Sequence, residues 1–132
     1  MELLKKVFEV DDKEMEKARI EYSEALRVPF AFKPLFRKPA GVIGIEDFYP
    51  GSPTHNFGLW YDEVIIVIKG KADIECRTPK AVGSWEMKTV SVEAGDCFFM
   101  YKGEQVSFKV TSEETFRHLC IIMPAHPFPQ LT

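Results

Sequence analysis

Two stretches constrain the fold of this chain more than any others: PGSPTHNFGLWYDEVIIVIKG from Pro50 to Gly70, and GDCFFMYKGEQV from Gly95 to Val106. In the first, Pro50-Gly51 turns the backbone. Tyr61-Asp62-Glu63 then opens the β-branched run Val64 to Ile68, which Lys69-Gly70 ends. An apolar run of this length between turn residues is predicted to be a buried strand. In the second, Gly95-Asp96 leads into the apolar and aromatic Cys97 to Tyr101, and Lys102-Gly103 turns the chain out again.

The chain from Gly41 onward follows the same rule. Short runs at Val42 to Tyr49, Lys71 to Arg77, Glu86 to Val92, Ser107 to Thr111 and Phe116 to Met123 are separated by Gly and Pro turns, with a longer break at Thr78 to Ser84. This spacing predicts an all-β sandwich or barrel. Ahead of it, residues 11–27 predict a helix: Asp11 and Glu14 make a capping box inside a Val10–Met15 staple, and Met15, Ala18, Tyr22 and Leu26 recur on one face. Pro29 ends the pattern. The arm FAFKPLFRK that follows is interrupted by Pro34 and is not expected to form a regular central strand. It must be buried either in a homodimer contact or back on its own barrel.

The two motif stretches resemble the paired motifs of the cupin superfamily, which are small jelly-roll barrels. The first cupin motif carries a glycine, a His-x-His pair, a glutamate and a closing glycine. Here those places are Gly51, Phe57, Leu59, Glu63 and Gly70. The second carries a glycine, Pro-x-Gly and a histidine, and falls on Gly95, Tyr101, Gly103 and Val106. Three of the four usual metal ligands are therefore apolar, and a lone carboxylate does not make a transition-metal site. LWYDEVIIVIKG, VEAGDCFFMYKG and FRHLCIIMPAHPF are similar to the ethanolamine-utilisation cupins of the EutQ family. The resemblance implies a cupin double-stranded β-helix at residues 41–132, preceded by an N-terminal helix and packing arm at residues 1–40. It also implies a link to amine catabolism. Acetate kinase activity has been attributed to that family, but with no phosphate-binding glycine loop in view it is not carried over.

Within that frame, Glu63 is expected to point into the barrel as an acid or base, with its pKa raised by burial. Tyr101, in place of the motif's proline, offers a hydroxyl beside it. On the last strand one of Arg117 and His118 must face inward. The resemblance favours Arg117, whose guanidinium would clamp an anionic ligand. Tyr49, Phe57, Leu59, Tyr61, Phe99 and Val106 complete the expected lining of a ligand cavity. His55, Glu63 and His118 would together be a relocated metal set, set against a solvent-facing His55. The reading is thus of a metal-independent barrel without a cofactor that binds a small anionic metabolite. Its rivals are a metal-free lyase, isomerase or cyclase, and a non-catalytic binding or accessory module. Whether the chain is an enzyme stays open.

Charge and cysteine content narrow the surroundings. Among 132 residues, 17 Lys and Arg stand against 20 Asp and Glu, which argues against nucleic acid as a partner. Cys76, Cys97 and Cys120 lack Cys-x-x-Cys spacing and read as reduced thiols. MELLKKVFEV has no signal-peptide core and no segment reaches the length of a membrane span, so a soluble cytoplasmic protein with no membrane partner is expected.

Overall fold

In the computed structural model, which describes residues 4–123, almost all of the regular structure is antiparallel β. A short helix, α1 (Asp12–Lys17), precedes the strands β1 (Arg19–Ile20), β2 (Phe30–Lys38), β3 (Gly41–Phe48), β4 (Phe57–Gly58) and β5 (Asp62–Lys69). They are followed by β6 (Lys71–Pro79), β7 (Trp85–Glu93), β8 (Cys97–Met100), β9 (Gln105–Val110) and β10 (Phe116–Met123). One sheet runs β1-β2-β3-β10-β5-β8 and the other β4-β9-β6-β7. The all-β jelly roll expected from the sequence is the observed architecture. No helix is long and apolar enough to cross a membrane among the described residues.

The core lies between the sheets and is set by strand alternation. Val42 and Phe48 of β3, Ile65 and Val67 of β5, and Phe116, Cys120 and Ile122 of β10 point inward. They meet Ile74 of β6 and Val106, Phe108 and Val110 of β9. Gly70, between β5 and β6, has φ +82°, and a Cβ there would meet the Thr115 carbonyl oxygen at 2.5 Å. Only glycine fits that turn.

A second, smaller cluster lies on the outer face of the larger sheet, where Met15 of α1 covers Ala31 and Ile45. The cap forms as expected, with the Asp11 side chain accepting from the Glu14 N–H at 2.9 Å, and Val10 packs with Met15 in the same cluster. The helix is shorter than its periodicity suggests. It stops at Lys17, and Arg19 and Ile20 pair with Ala31 and Phe30 instead. Tyr22 is exposed, while Leu26 is buried in the main core rather than along a helix face. Edge pairing to β2 outweighs helix propensity here.

The arm becomes β2. Its register slips between Pro34 and Phe36, and after the Phe32 N–H bonds Ala18 O at 3.2 Å no strand among the described residues pairs with its outer edge, so the missing proline N–H leaves no ladder bond unmade. Phe30, Ala31 and Phe32 are buried within the chain itself, so the fold-back alternative is the one observed.

The outer face also holds a buried ion pair. Arg117 of β10 lies directly opposite Asp47 of β3 and grips it with two hydrogen bonds, Nε to Oδ1 and Nη2 to Oδ2, both 2.8 Å. Asp12 of α1 adds an exposed contact to Arg117 at 3.0 Å, and it also meets Lys69 at 3.2 Å. Removing one partner of a buried pair strands the other, whereas an exposed partner adds little. Arg117→Ala should therefore lower unfolding free energy by about 3–5 kcal/mol in urea titrations. Asp12→Ala should lower it by less than about 1 kcal/mol. Equal losses would place the stabilisation in the helix contact instead.

Candidate functional site

Among the inward positions of β3, β10 and β5 stand four polar groups: Glu46, His118, Cys120 and Glu63, all buried. β10 is the middle strand of the three. Its His118 lies opposite Glu46, while Glu63 lies opposite Ile122 on the other flank. The His118 Nε2–H donates to Glu46 Oε1 at 3.0 Å, and the Cys120 thiol donates to the same oxygen at 3.8 Å. The imidazole is fully buried among Phe48, Phe108 and Phe116, with ring centroids 4.9 to 5.8 Å away. Its Nδ1 is buried without a hydrogen-bond partner.

The electrostatics follow from dryness. Burial is the largest cause pushing the Glu63 carboxyl well above its ordinary pKa, and the neighbouring Glu46 charge adds to it. A hydrogen bond with Cys120 acts the other way. Burial also raises the Cys120 thiol and the Tyr61 hydroxyl, with Glu46 and Glu63 contributing to both. Burial thus biases Glu63 toward its protonated form, in which the carboxyl is a proton donor in an apolar setting.

Several expected residues reach the interior. Leu59, Tyr61 and Val106 are buried, and Phe57 packs against the core in parallel with the Phe108 ring, 6.4 Å between centroids. The three positions where cupins place histidines are thus filled with hydrocarbon facing inward. Other placements correct the sequence reading. Arg117 faces the outer side of the sheet, held by Asp47, and His118 takes the inward place. Tyr101 and Phe99 are exposed and pack on each other with centroids 4.6 Å apart and ring planes tilted by 51°, because strand alternation along β8 gives the inward place to Met100. His55 is exposed and its backbone N–H bonds Leu26 O at 2.8 Å, so the His55–Glu63–His118 set is not assembled. Among the described residues, the donors that converge within 4.8 Å are Glu46, His118 and Cys120.

Sequence reasoning missed Glu46 and Cys120. The signal was there in parity: Phe116 and Ile122 are core residues, so His118 and Cys120 share their face. Val42 and Phe48 place Glu46 inward by the same count.

Tyr49 is half-buried and lines a cavity of about 550 Å³ where β3 ends, beneath the loop that leads to β2. Phe48, Phe108 and Val110 give the cavity an apolar floor, and Arg19, Arg27 and Ser52 are polar groups on its wall. The Arg19 guanidinium sits 4.7 Å over the Tyr49 ring and bonds Glu21 at 2.6 Å. Arg27 has φ 57°, a left-handed conformation that L side chains avoid.

An all-β jelly roll with both motif frames intact and a glutamate at the inward motif position defines a cupin. Solved structures agree on the fold. The cupin domain of Schizosaccharomyces pombe Cnp3 matches with a TM-score of 0.61 at 16% identity, over 72% of this chain and 61% of that one, so this chain spans less than two thirds of that structure. The EutQ protein of Clostridium difficile matches with a TM-score of 0.61 at 23% identity, over 84% of this chain and 79% of that one. A cupin superfamily protein of Desulfitobacterium hafniense gives 0.55 at 13%, over 71% and 76%. No curated protein matches the chain. Residues 40–127 match the family described as ethanolamine utilisation protein EutQ, and the chain belongs to that family.

Because folded Glu63 keeps its proton where the unfolded chain loses it, stability is full below the ordinary glutamate pKa and falls as pH rises above it. With EDTA present, Glu63→Gln should flatten that decline in melts taken between pH 5 and pH 8. Parallel pH profiles for variant and wild type would mean that Glu63 is ionised in the barrel.

Proposed function

We propose that this cupin binds a small anionic metabolite in the cavity bounded by Arg19, Arg27 and Tyr49. The supporting observation is the conformation of Arg27. Holding a non-glycine residue in the left-handed region costs about 1–2 kcal/mol, and such strain collects where a side chain has a task. Here the turn is pinned by Arg27 N–H to Ser23 O at 2.9 Å and by His55 N–H to Leu26 O at 2.8 Å. Arg27 is thereby kept at the wall of a cavity whose volume is ordinary for a small ligand. Two guanidiniums and the Ser52 and Tyr49 hydroxyls over a phenylalanine floor suit a carboxylate or phosphate with a short apolar body. This moves the anion site of the sequence reading from Arg117 to Arg19 and Arg27. Membership of the EutQ family supports a metabolite of ethanolamine or related amine catabolism.

Glu63 favours one second reading, in which a buried protonated carboxyl transfers a proton to a bound substrate without metal. Turnover lost in Glu63→Gln with ligand binding retained would select it. Binding with no turnover on any small acid or amine selects the accessory-module reading.

A thermal-shift panel of small mono- and dicarboxylates, phosphate esters and amines tests the anion site. A ligand present at about a hundred times its Kd stabilises by about 2.7 kcal/mol. Acids but not amines should raise the melting temperature of wild type. Arg27→Gly should abolish that rise while keeping unfolding free energy within about 1 kcal/mol of wild type, since glycine relieves the strain. An unchanged shift in Arg27→Gly would contradict the site.

A further inference from the structure

The geometry points to a divalent transition-metal site inside the barrel, built from Glu46, His118 and Cys120. None of these donors stands at a position where the cupin motifs carry ligands, which are Phe57, Leu59, Glu63 and Val106 here. The site is separate from the anion cavity proposed above and does not rest on it.

Three observations converge. First, the donor types suit one ion: an imidazole nitrogen, a carboxylate oxygen and a sulfur are the ligands zinc takes, and cobalt substitutes in the same geometry. Second, the spacing fits. Bond lengths of about 2.0–2.1 Å to nitrogen and oxygen and about 2.3 Å to sulfur put tetrahedral N and O about 3.3 Å apart, and S about 3.6 Å from either. The Nε2 and Oε1 atoms are 3.0 Å apart, Sγ and Oε1 are 3.8 Å apart, and all three donor atoms lie within 4.8 Å. Shifts of a few tenths of an ångström for the first two separations admit an ion between them. Third, the donors lie on adjacent strands in one register, His118 directly opposite Glu46 and Cys120 two residues along, so the sheet itself holds them.

Charge balance points the same way. The thiol must release its proton to solvent as the metal–sulfur bond forms, so the bound ligands are one thiolate, one carboxylate and a neutral imidazole. Their two negative charges offset the two positive charges of the ion, and the interior gains no net charge. His118 changes tautomer on binding. Nε2 gives its proton up to the ring's other nitrogen, and Nδ1, now without a partner, becomes an N–H among aromatic rings rather than an unpaired lone pair. Glu63, hydrogen-bonded to Cys120, lies outside the three converging donors and is placed to support the thiolate rather than to coordinate. Phe48 and Phe108, packed on His118, form the floor of the anion cavity, so the ion would sit beneath that floor.

The test uses the untagged full chain, stripped with chelator and titrated with Co²⁺. One equivalent should bind with a near-ultraviolet thiolate-to-cobalt charge-transfer band and visible bands of tetrahedral intensity, and Zn²⁺ should displace it. Cys120→Ser should lose the charge-transfer band, and Glu46→Gln should weaken Zn²⁺ binding about tenfold or more. The double variant Cys76→Ala/Cys97→Ser should keep the band. Circular dichroism melts of the metal-free proteins show which variants fold. If Cys120→Ser does not fold, the wild-type and double-variant titrations decide alone. No stoichiometric uptake by wild type, or a band that survives in Cys120→Ser and vanishes in the double variant, would overturn the site.

Discussion

The structure depends on how β3 and β10 are registered. Two cross-strand pairs stand back to back on neighbouring residues: Glu46 with His118 inside the barrel, and Asp47 with Arg117 outside it. A slip of one residue would turn both pairs over, driving a guanidinium and its carboxylate into the phenylalanine-lined interior. Each pair therefore specifies the register for the other. The cost of reversing them far exceeds that of any single hydrogen bond, because buried charges without partners lose several kcal/mol each.

From that register the two layers follow. Inside, the polar patch spans the middle of the larger sheet, and the hydrocarbon of Leu59 and Val106 replaces the usual histidines, so the polar interior groups stand on β3, β10 and β5. Outside, Arg117 holds Asp47 and reaches Asp12, which helps to seat α1 over Ala31 and Ile45. The N-terminal segment is thus tied to the same strand pair that holds the interior donors. The cavity lined by Arg19, Arg27 and Tyr49 sits at the end of β3, and its floor is made by rings that also pack on His118. Cavity, floor and imidazole form successive layers.

The barrel was readable in the sequence because period-two apolar runs between glycine turns leave little choice of architecture, and the spacing of Gly51, Glu63, Gly70, Gly95 and Gly103 survives the loss of the histidines. The strand at Phe116 to Met123 was placed to the residue. Glu63 was placed inward correctly for the same reason. Resemblance to relatives points Arg117 inward, against the parity of Phe116 and Ile122, and parity prevails because both flanking strands bury the same face. The helix was overextended because Met15, Ala18, Tyr22 and Leu26 do recur at helical spacing, yet the partner that stops it, Phe30 to Ala31, is brought in by tertiary pairing and cannot be read locally. Arg27 gave no sequence signal, since a left-handed arginine has no compositional mark.

The back-to-back arrangement is tested most directly by double-mutant cycles in urea unfolding, combining Glu46→Gln with His118→Gln and, separately, Glu46→Gln with Arg117→Gln. The account predicts a coupling of about 0.5–3 kcal/mol for Glu46 with His118, and a coupling within about 0.5 kcal/mol of zero for Glu46 with Arg117. Coupling of Glu46 to Arg117 rather than to His118 would mean that the guanidinium, not the imidazole, occupies the barrel.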